Sequence, residues 1–456
     1  MDYAKLLNGK KTFPWKKATN MKIAIIGGGF MGLVLAHKIS KTNAKVKVFE
    51  RETQPGGLST YHDYEHFIWD RFYHVILPTD ADLIHLMEEI GLGDQINWRR
   101  SMTGYYVQNK FYSISSLKEF LFFPPLNIID KLKLGFTIFY GSRIKNWKTL
   151  EKITAKDWLI KIGGKKTYEK FWSPLLLAKL GEMHESVSAV FIWSYIKRLF
   201  QARSSAAQKE HMGYVSGGYK TVFDRLQELL VQKDAELLLD CSVKKIIPGA
   251  SGGITVFYND REEHFDKLIF TAPLNALNIL AAPKLVEVTK KQKPIEYLGV
   301  ICMVMLTEQP LTPYYVLNIA DKEIPFTGVI GMSTLVDLEE TGGKYITYFP
   351  KYATADDTYW QKTDQELEDI FLKGVQKLYP EFNMGTVNSV HINKAMKVQP
   401  LQVLNYSEFI PKIQTKNPDF YVLNTSQFVN ETLNNNTVTQ HIDYFMINFN
   451  KDLESI

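Results

Sequence analysis

The sequence predicts an α/β protein built on a Rossmann-like dinucleotide-binding unit. Three observations carry this expectation. An apolar run, "KIAIIG", ends in a glycine-rich turn completed by "GGFMG". A segment of helical period follows at once. An alternating run then ends in an acid, Glu50. Strand, glycine turn, helix and strand in that order make a βαβ unit.

Each element has its own reason. "KIAIIG" is almost wholly apolar, as a strand covered on both faces must be. "FMGLVLAHKISKT" places Leu33, Ala36 and His37 at helical spacing. "AKVKVFE" sets Ala44, Val46 and Val48 against lysines, the period of a strand. Gly27, Gly29 and Gly32 supply G-x-G-x-x-G between the first strand and the helix. The first glycine allows the tight turn, the second lets the backbone approach a pyrophosphate, and the third lets helix pack on strand. The helix then begins at Phe30 and Met31, whose unpaired N–H groups and dipole favour an anion. Glu50 can accept from ribose hydroxyls, which suits NAD and FAD alike.

Bulk properties narrow the field. The chain has 456 residues, enough for more than one folding unit. A formal charge of +5, dispersed along the chain, is too weak to argue for nucleic acid. The two cysteines, Cys241 and Cys302, lie far apart and have no metal-ligand spacing. A reducing, cytoplasmic setting is expected. No apolar run is long enough to predict a membrane span. Residues 1–20 are lysine-rich without an apolar core, so they read as a flexible extension. No second G-x-G-x-x-G follows a strand, so no separate nicotinamide domain is expected.

Further along, "RETQPGGLST" places a second glycine pair, Gly56 and Gly57, just after Glu50. "HMGYVSGGYKTVFDRLQELL" leads a glycine pair into a helix, and "AELLLDCSVKKII" and "FDKLIFTAP" read as strands. With "DRFYHVILPTDADLIHLMEEIGLGD", "TGYYVQNKFYSISS" and "FWSPLLLAKLGE", these stretches resemble the FAD-dependent amine oxidase superfamily. That superfamily includes protoporphyrinogen oxidases and phytoene desaturases. A bacterial, protoporphyrinogen-oxidase-like branch is the nearest likeness, over about residues 21 to 445.

The resemblance implies a non-covalent FAD in a discontinuous Rossmann-like domain of the glutathione-reductase type. Residues 21–100, 211–285 and 416–456 would form it. An α+β substrate domain from 101–210 and 286–415 would be interleaved with it. Besides the first turn, the implied cofactor contacts are Arg51, Gly56, Gly57, Leu58, Ser59, Arg71 and Val243. Thr271, Asn424, Asn436 and Thr437 complete the set. Val243 would meet the adenine through its backbone. A helix beginning near Asn436 would point its N-terminus at the flavin.

Within that frame, local signals agree. "ITVFYNDREEHFDKLIF" is a hairpin with a polar turn. "KPIEYLGVICMVMLTEQP" opens the second insertion as a strand. "TDQELEDIFLKGVQKLYP" is an amphipathic helix with Leu367, Ile370, Phe371, Val375 and Leu378 on one face, capped at Thr363 or Asp364.

The catalytic candidates are Tyr73 and His74, in the loop "DRFYHVI", and Lys179, in "LLLAKLGE". The imidazole of His74 suits proton transfer, or it is satisfied structurally by a carbonyl. A lysine inside an apolar run needs a partner, such as a water or an anionic group, unless it snorkels to solvent. The expected reaction is hydride transfer from a small organic substrate to flavin N5. Electrons would leave to oxygen, a quinone or another carrier. Two alternatives stay open. One is a flavin-dependent sugar-nucleotide mutase without net oxidation, in which Arg99, Arg100, Tyr105 and Tyr106 clamp the nucleotide. The other is a flavin-binding protein with little activity.

The chain departs from its relatives in places. Asn424-Thr425 stands where amine oxidases carry Gly-Asp, and "FVNETLNNN" replaces a glycine-rich helix start. Gly331-Met332 stands where the bacterial branch tends to carry a glutamate-histidine pair. The aromatic stretch "LKEFLFFPPLNIIDKLKLGFTIFYG" reads first as core. A peripheral membrane face is its alternative.

Overall fold

Short apolar runs buried on both faces suit a parallel sheet covered by helices. In the computed structural model, which describes residues 21–115, 119, 122–204, 211–286 and 295–454, five short runs lie side by side. They are β1 (Lys22–Ile26), β2 (Lys45–Phe49), β3 (Glu236–Leu238), β4 (Lys267–Phe270) and β5 (Phe420–Val422). The order is β5-β4-β1-β2-β3, and each neighbouring pair is parallel. Three distant stretches of chain thus build one sheet. The expected extension, residues 1–20, lies outside the described residues.

Four helices cover the sheet and its turns: α1 (Phe30–Ser40), α2 (Ala81–Glu89), α3 (Gly218–Val231) and α4 (Asn435–Glu454). Helix α1 is buried along its whole length, between α3 and α4. Its polar residues therefore need partners. Lys38 finds Asp443 of α4 at 2.9 Å and Glu89 of α2 at 3.3 Å, and Glu89 also meets His37 and Lys41. This ionic knot fixes three helices together. Burial alone would raise the Glu89 carboxyl, but His37, Lys38 and Lys41 prevail and hold it well below the usual carboxylate range.

The stretch "AELLLDCSVKKII" turns out to be two strands, not one. Glu236–Leu238 edges the parallel sheet, and Val243–Pro248 joins the hairpin Ile254–Tyr258 and Arg261–Phe265. Asp240, with φ +49°, turns the chain between them. The hairpin follows its sequence signal, with Asn259 and Asp260 both at positive φ in a two-residue turn.

A seven-stranded mixed sheet is the second main element. It draws Thr103–Val107 and Lys110–Ser113 from one insertion and Val316–Ile319, Gly328–Gly331, Tyr297–Thr307, Tyr345–Ala353 and Val387–Pro400 from the other. The strand Tyr297–Thr307, second from one edge, alternates between two cores. Ile301, Met303 and Met305 face the helix Asp364–Leu378, and Val300, Cys302 and Val304 face the segment from Tyr64 to Val75. The helix buries Leu367, Phe371, Val375 and Leu378, and Thr363 closes a reciprocal cap with Glu366. A helical cluster stands beside this sheet, with Trp158, Trp172, Leu176 and Trp193 at its core. Its outermost helix, Ile128–Arg143, buries only Asp130, Leu134, Thr137 and Gly141. The expectation of a core helix there gives way to one with an open apolar side.

Candidate cofactor and active site

The glycine turn is built by packing at three corners and left open at one. Gly27 has φ +113°, and a Cβ there would sit 2.7 Å from Thr271 Oγ1. At Gly32 a Cβ would overlap the Gly27 carbonyl oxygen, so only glycine lets α1 reach β1. Gly28 is pressed against Glu50, whose carboxylate accepts from the Gly28 N–H at 2.7 Å. Gly29 differs. Its backbone is ordinary, with φ −68°, and the nearest atom to an added Cβ is 3.8 Å away. Among the described residues, no packing explains a glycine there. No side chain caps α1 at Gly29, and no acid lies in its first turn. The N–H groups of that turn stay available to an anion.

The second glycine pair closes over the first. Gly56 donates to the Gly28 carbonyl at 2.9 Å, and Gly29 and Gly56 form an isolated bridge. Gly56 and Gly57 hold φ of +113° and +59°, a region L-residues avoid. Among the described residues, two buried polar atoms nearby in sequence, Gln54 Oε1 and Arg71 Nε, have no hydrogen-bond partner.

Other candidates are placed less openly. Thr271 donates to the Ile26 and Gly27 carbonyls, bracing the turn from β4. Asn424 is buried, with its amide donating to the Thr271 and Ala272 carbonyls and accepting from Ser426 N–H. It clamps two strand ends together. Asn436 Oδ1 accepts from Leu83 N–H of α2 at 2.9 Å. Thr437 is held by Asn434, which caps α4. All three asparagine and threonine side chains at this end are thus committed within the protein. Phe30 and Met31 are buried, the former edge-on to Tyr219 at 5.9 Å. Arg51 is exposed beside Glu52, Leu58 is half-buried, and Val243 is buried opposite Tyr258. Ser59 is buried and lies 3.1 Å from the Asn435 amide.

The three catalytic candidates divide. Tyr73 and Lys179 come to one place, linked by a residue the sequence did not single out. The Tyr73 hydroxyl is 3.0 Å from the Tyr352 hydroxyl. Enclosure of these hydroxyl ends pushes Tyr73 well above the ordinary phenol range, and Tyr352 upward too. The Lys179 ammonium counters the rise at Tyr352. That ammonium lies 5.1 Å over the Tyr195 ring. His74 takes another side. Its Nδ1 meets the Phe72 carbonyl at 2.9 Å, and its ring lies 5.1 Å from that of Tyr219. An Nδ1–H donated there leaves Nε2 as an acceptor. Asp70 below accepts from the Tyr219 N–H at 2.7 Å and seats α3 against the site.

Tyr352, Tyr219 and Asn435 are therefore positioned beside the candidates although no local motif marks them. The group Arg99, Arg100, Tyr105 and Tyr106 is not assembled into a clamp. Arg99 pairs with Asp337 at the surface, and Tyr105 and Tyr106 are buried in two separate cores.

With the turn and its surroundings in place, relatives can be compared. The model of the family "Flavin containing amine oxidoreductase" matches residues 31–401. The chain belongs to this family. It is 27% identical over 176 residues to the mitochondrial protoporphyrinogen oxidase of Nicotiana tabacum, over 39% of this chain and 29% of that one. It is 23% identical over 261 residues to the zeta-carotene desaturase of Synechocystis sp., over 52% of each chain. The chain thus spans about a third and about half the length of these curated relatives. Among solved structures, a candidate protoporphyrinogen oxidase from Exiguobacterium sp. 255-15 superposes with a TM-score of 0.75 at 15% identity. The match covers 96% of this chain and 99% of the other, and at that identity it speaks for the fold.

FAD is the cofactor of this flavin-containing family member. The residues present fit it. Among the described residues, none fills the space beside Gly29, α1 begins without a side-chain cap, and the buried Arg71 Nε has no acceptor.

Proposed function

We propose that the protein is an FAD-dependent oxidoreductase that oxidises a small organic substrate held between the seven-stranded sheet and the cofactor domain. The observation that carries this reading is the open glycine turn at Gly29, uncapped and faced by Gly56 and Gly57. FAD, when bound, accepts a hydride at its N5 position. The chain's own residues do the rest. Gly29, Phe30, Met31 and Gly32 offer N–H groups to the pyrophosphate, and Glu50 accepts from the ribose. Gly56, Gly57, Leu58, Ser59 and Arg71 line the path toward the substrate side. Division of the chain into a cofactor domain (21–100, 211–285, 416–456) and a substrate domain (101–210, 286–415) follows the two main sheets.

On the substrate side, the Tyr73 and Tyr352 hydroxyls share one hydrogen bond in which either can donate, so one hydroxyl proton of the pair is left for the substrate. The Lys179 ammonium stabilises any negative charge that develops there. His74 offers Nε2 as a proton acceptor at the opposite wall. A phenol is protonated at neutral pH and burial shifts both tyrosines further upward, so both keep their hydroxyl protons.

The test is spectroscopic. The purified protein should carry a flavin spectrum, and denaturation should release FAD. Anaerobic addition of amines, porphyrinogens and polyenes should bleach that spectrum with at least one class. A bound flavin that no such compound reduces would defeat the oxidoreductase reading. Turnover of a nucleotide-sugar only after chemical reduction of the flavin would replace it with the mutase.

A further inference from the structure

The helix Ile128–Arg143 has two unlike sides. Asp130, Leu134, Thr137 and Gly141 are buried against the helical cluster, where Trp193 donates to the Gly141 carbonyl at 2.8 Å. Ile128, Ile129, Leu132, Phe136, Phe139 and Tyr140 are exposed, each by between 46% and 68%. At 3.6 residues per turn these six fall within an arc of about 120°. Phe122, 73% exposed, stands just before the helix. This is a continuous apolar stripe roughly 18 Å long in solvent. Soluble surfaces seldom leave such a stripe uncovered.

The charge around the stripe identifies what covers it. Residues 122–152 carry six cations, Lys131, Lys133, Arg143, Lys145, Lys148 and Lys152, and two acids, Asp130 and Glu151. Both acids are buried and engaged elsewhere. Asp130 meets Thr167 and Lys170, and Glu151 accepts from Ser407. Lys131 and Lys133 flank the stripe on its two sides. Arg143 closes its end, with its guanidinium 5.0 Å over the Phe139 ring. An apolar centre within a cationic rim matches an anionic bilayer, where apolar side chains enter the acyl boundary and cations meet headgroups. A second copy of the same surface would bring like charges together.

The geometry points to the helix Ile128–Arg143 as a monotopic membrane-binding face for anionic lipid, lying in the interface plane. Among the described residues no helix is long and apolar enough to cross a bilayer. The face is one helix away from the active-site cluster. Trp193 and Ile196 of the helix Ala189–Ser204 pack on Gly141, and Tyr195 of that same helix lies under Lys179.

The experiment uses the full chain with its FAD and co-sedimentation with two kinds of vesicle. One is pure phosphatidylcholine, and the other also contains phosphatidylserine. The protein should pellet with the anionic vesicles, less so in high salt, and weakly or not at all with the neutral ones. Leu132→Ser with Phe136→Ser should weaken anionic binding at least about tenfold. Lys145→Glu with Lys148→Glu should weaken it roughly tenfold, and only on anionic vesicles. These side chains are exposed, so the flavin spectrum and melting temperature should be unchanged. Absence of wild-type binding to anionic vesicles would overturn the proposal. So would equal binding by the serine variant. A dimer that the serine variant converts to monomer, with vesicle binding unaltered, would assign the face to a second copy instead.

Discussion

Gly29→Ala separates a glycine kept for folding from one kept for the cofactor. The native φ and ψ at Gly29, −68° and 176°, suit alanine. An added methyl would make only ordinary contacts, the nearest at 3.8 Å from the Gly57 Cα. Folding therefore loses nothing, and the reduced freedom of the unfolded chain should add about 0.4–1 kcal/mol. The same methyl enters the space that the pyrophosphate needs. Loss of one hydrogen bond to a charged group costs about 1.5–3 kcal/mol, which is roughly 10- to 150-fold in Kd. The assay compares urea unfolding of the apoprotein with FAD titration by flavin fluorescence. Gly32→Ala serves as the contrast, since its methyl overlaps the Gly27 carbonyl and should disrupt the unit itself. Unchanged FAD affinity in Gly29→Ala would refute the cradle. A clear loss of apoprotein stability would refute the packing argument.

Three other outcomes are expected. Asn424→Ala leaves the Ala272 carbonyl and the Ser426 N–H without their partners, so unfolding in urea should show a loss of about 2–4 kcal/mol. The Glu89 carboxyl is depressed in the folded protein, so its contribution is complete above its ordinary value of 4.5 and fades as pH falls toward the folded value. The stability gap between wild type and Glu89→Gln should therefore be widest near neutral pH and shrink in acid; a pH-independent gap would contradict the ionic knot. Tyr352→Phe keeps the fold and the flavin spectrum but removes the hydroxyl at 3.0 Å from Tyr73. Stopped-flow reduction of the flavin by a substrate should slow roughly tenfold, and an unaltered rate would remove Tyr352 from the site.

Local features of the cofactor fold were legible in the sequence. The unit from Lys22 to Glu50 declares itself because its turn, helix and strands are neighbours in the chain. The hairpin around Asn259 and the capped helix after Thr363 do so for the same reason. Residues that meet only in space were not legible. Tyr352 reaches Tyr73 across 279 positions. Asn435 rather than Asn436 faces Ser59, because α4 begins one residue earlier than expected and the Asn436 side chain turns to Leu83 of α2. The clamping bonds of Asn424 were not legible, since its partners Thr271 and Ala272, just after β4, are invisible from "FYVLNTS". The solvent side of Ile128–Arg143 escaped for a different reason. Apolar residues on a helix show which face avoids water, but not whether protein covers it.

The order of strands in the parallel sheet bears on the birth of the protein. β1, its centre, is made long before β5, its edge against β4, at Phe420–Val422. On the ribosome, the nascent cofactor site stays open-edged through the synthesis of both insertions. β4 then waits some 150 codons for its last neighbour. FAD capture is for that reason expected only after β5 has been made, and a chain stalled within the second insertion should be colourless.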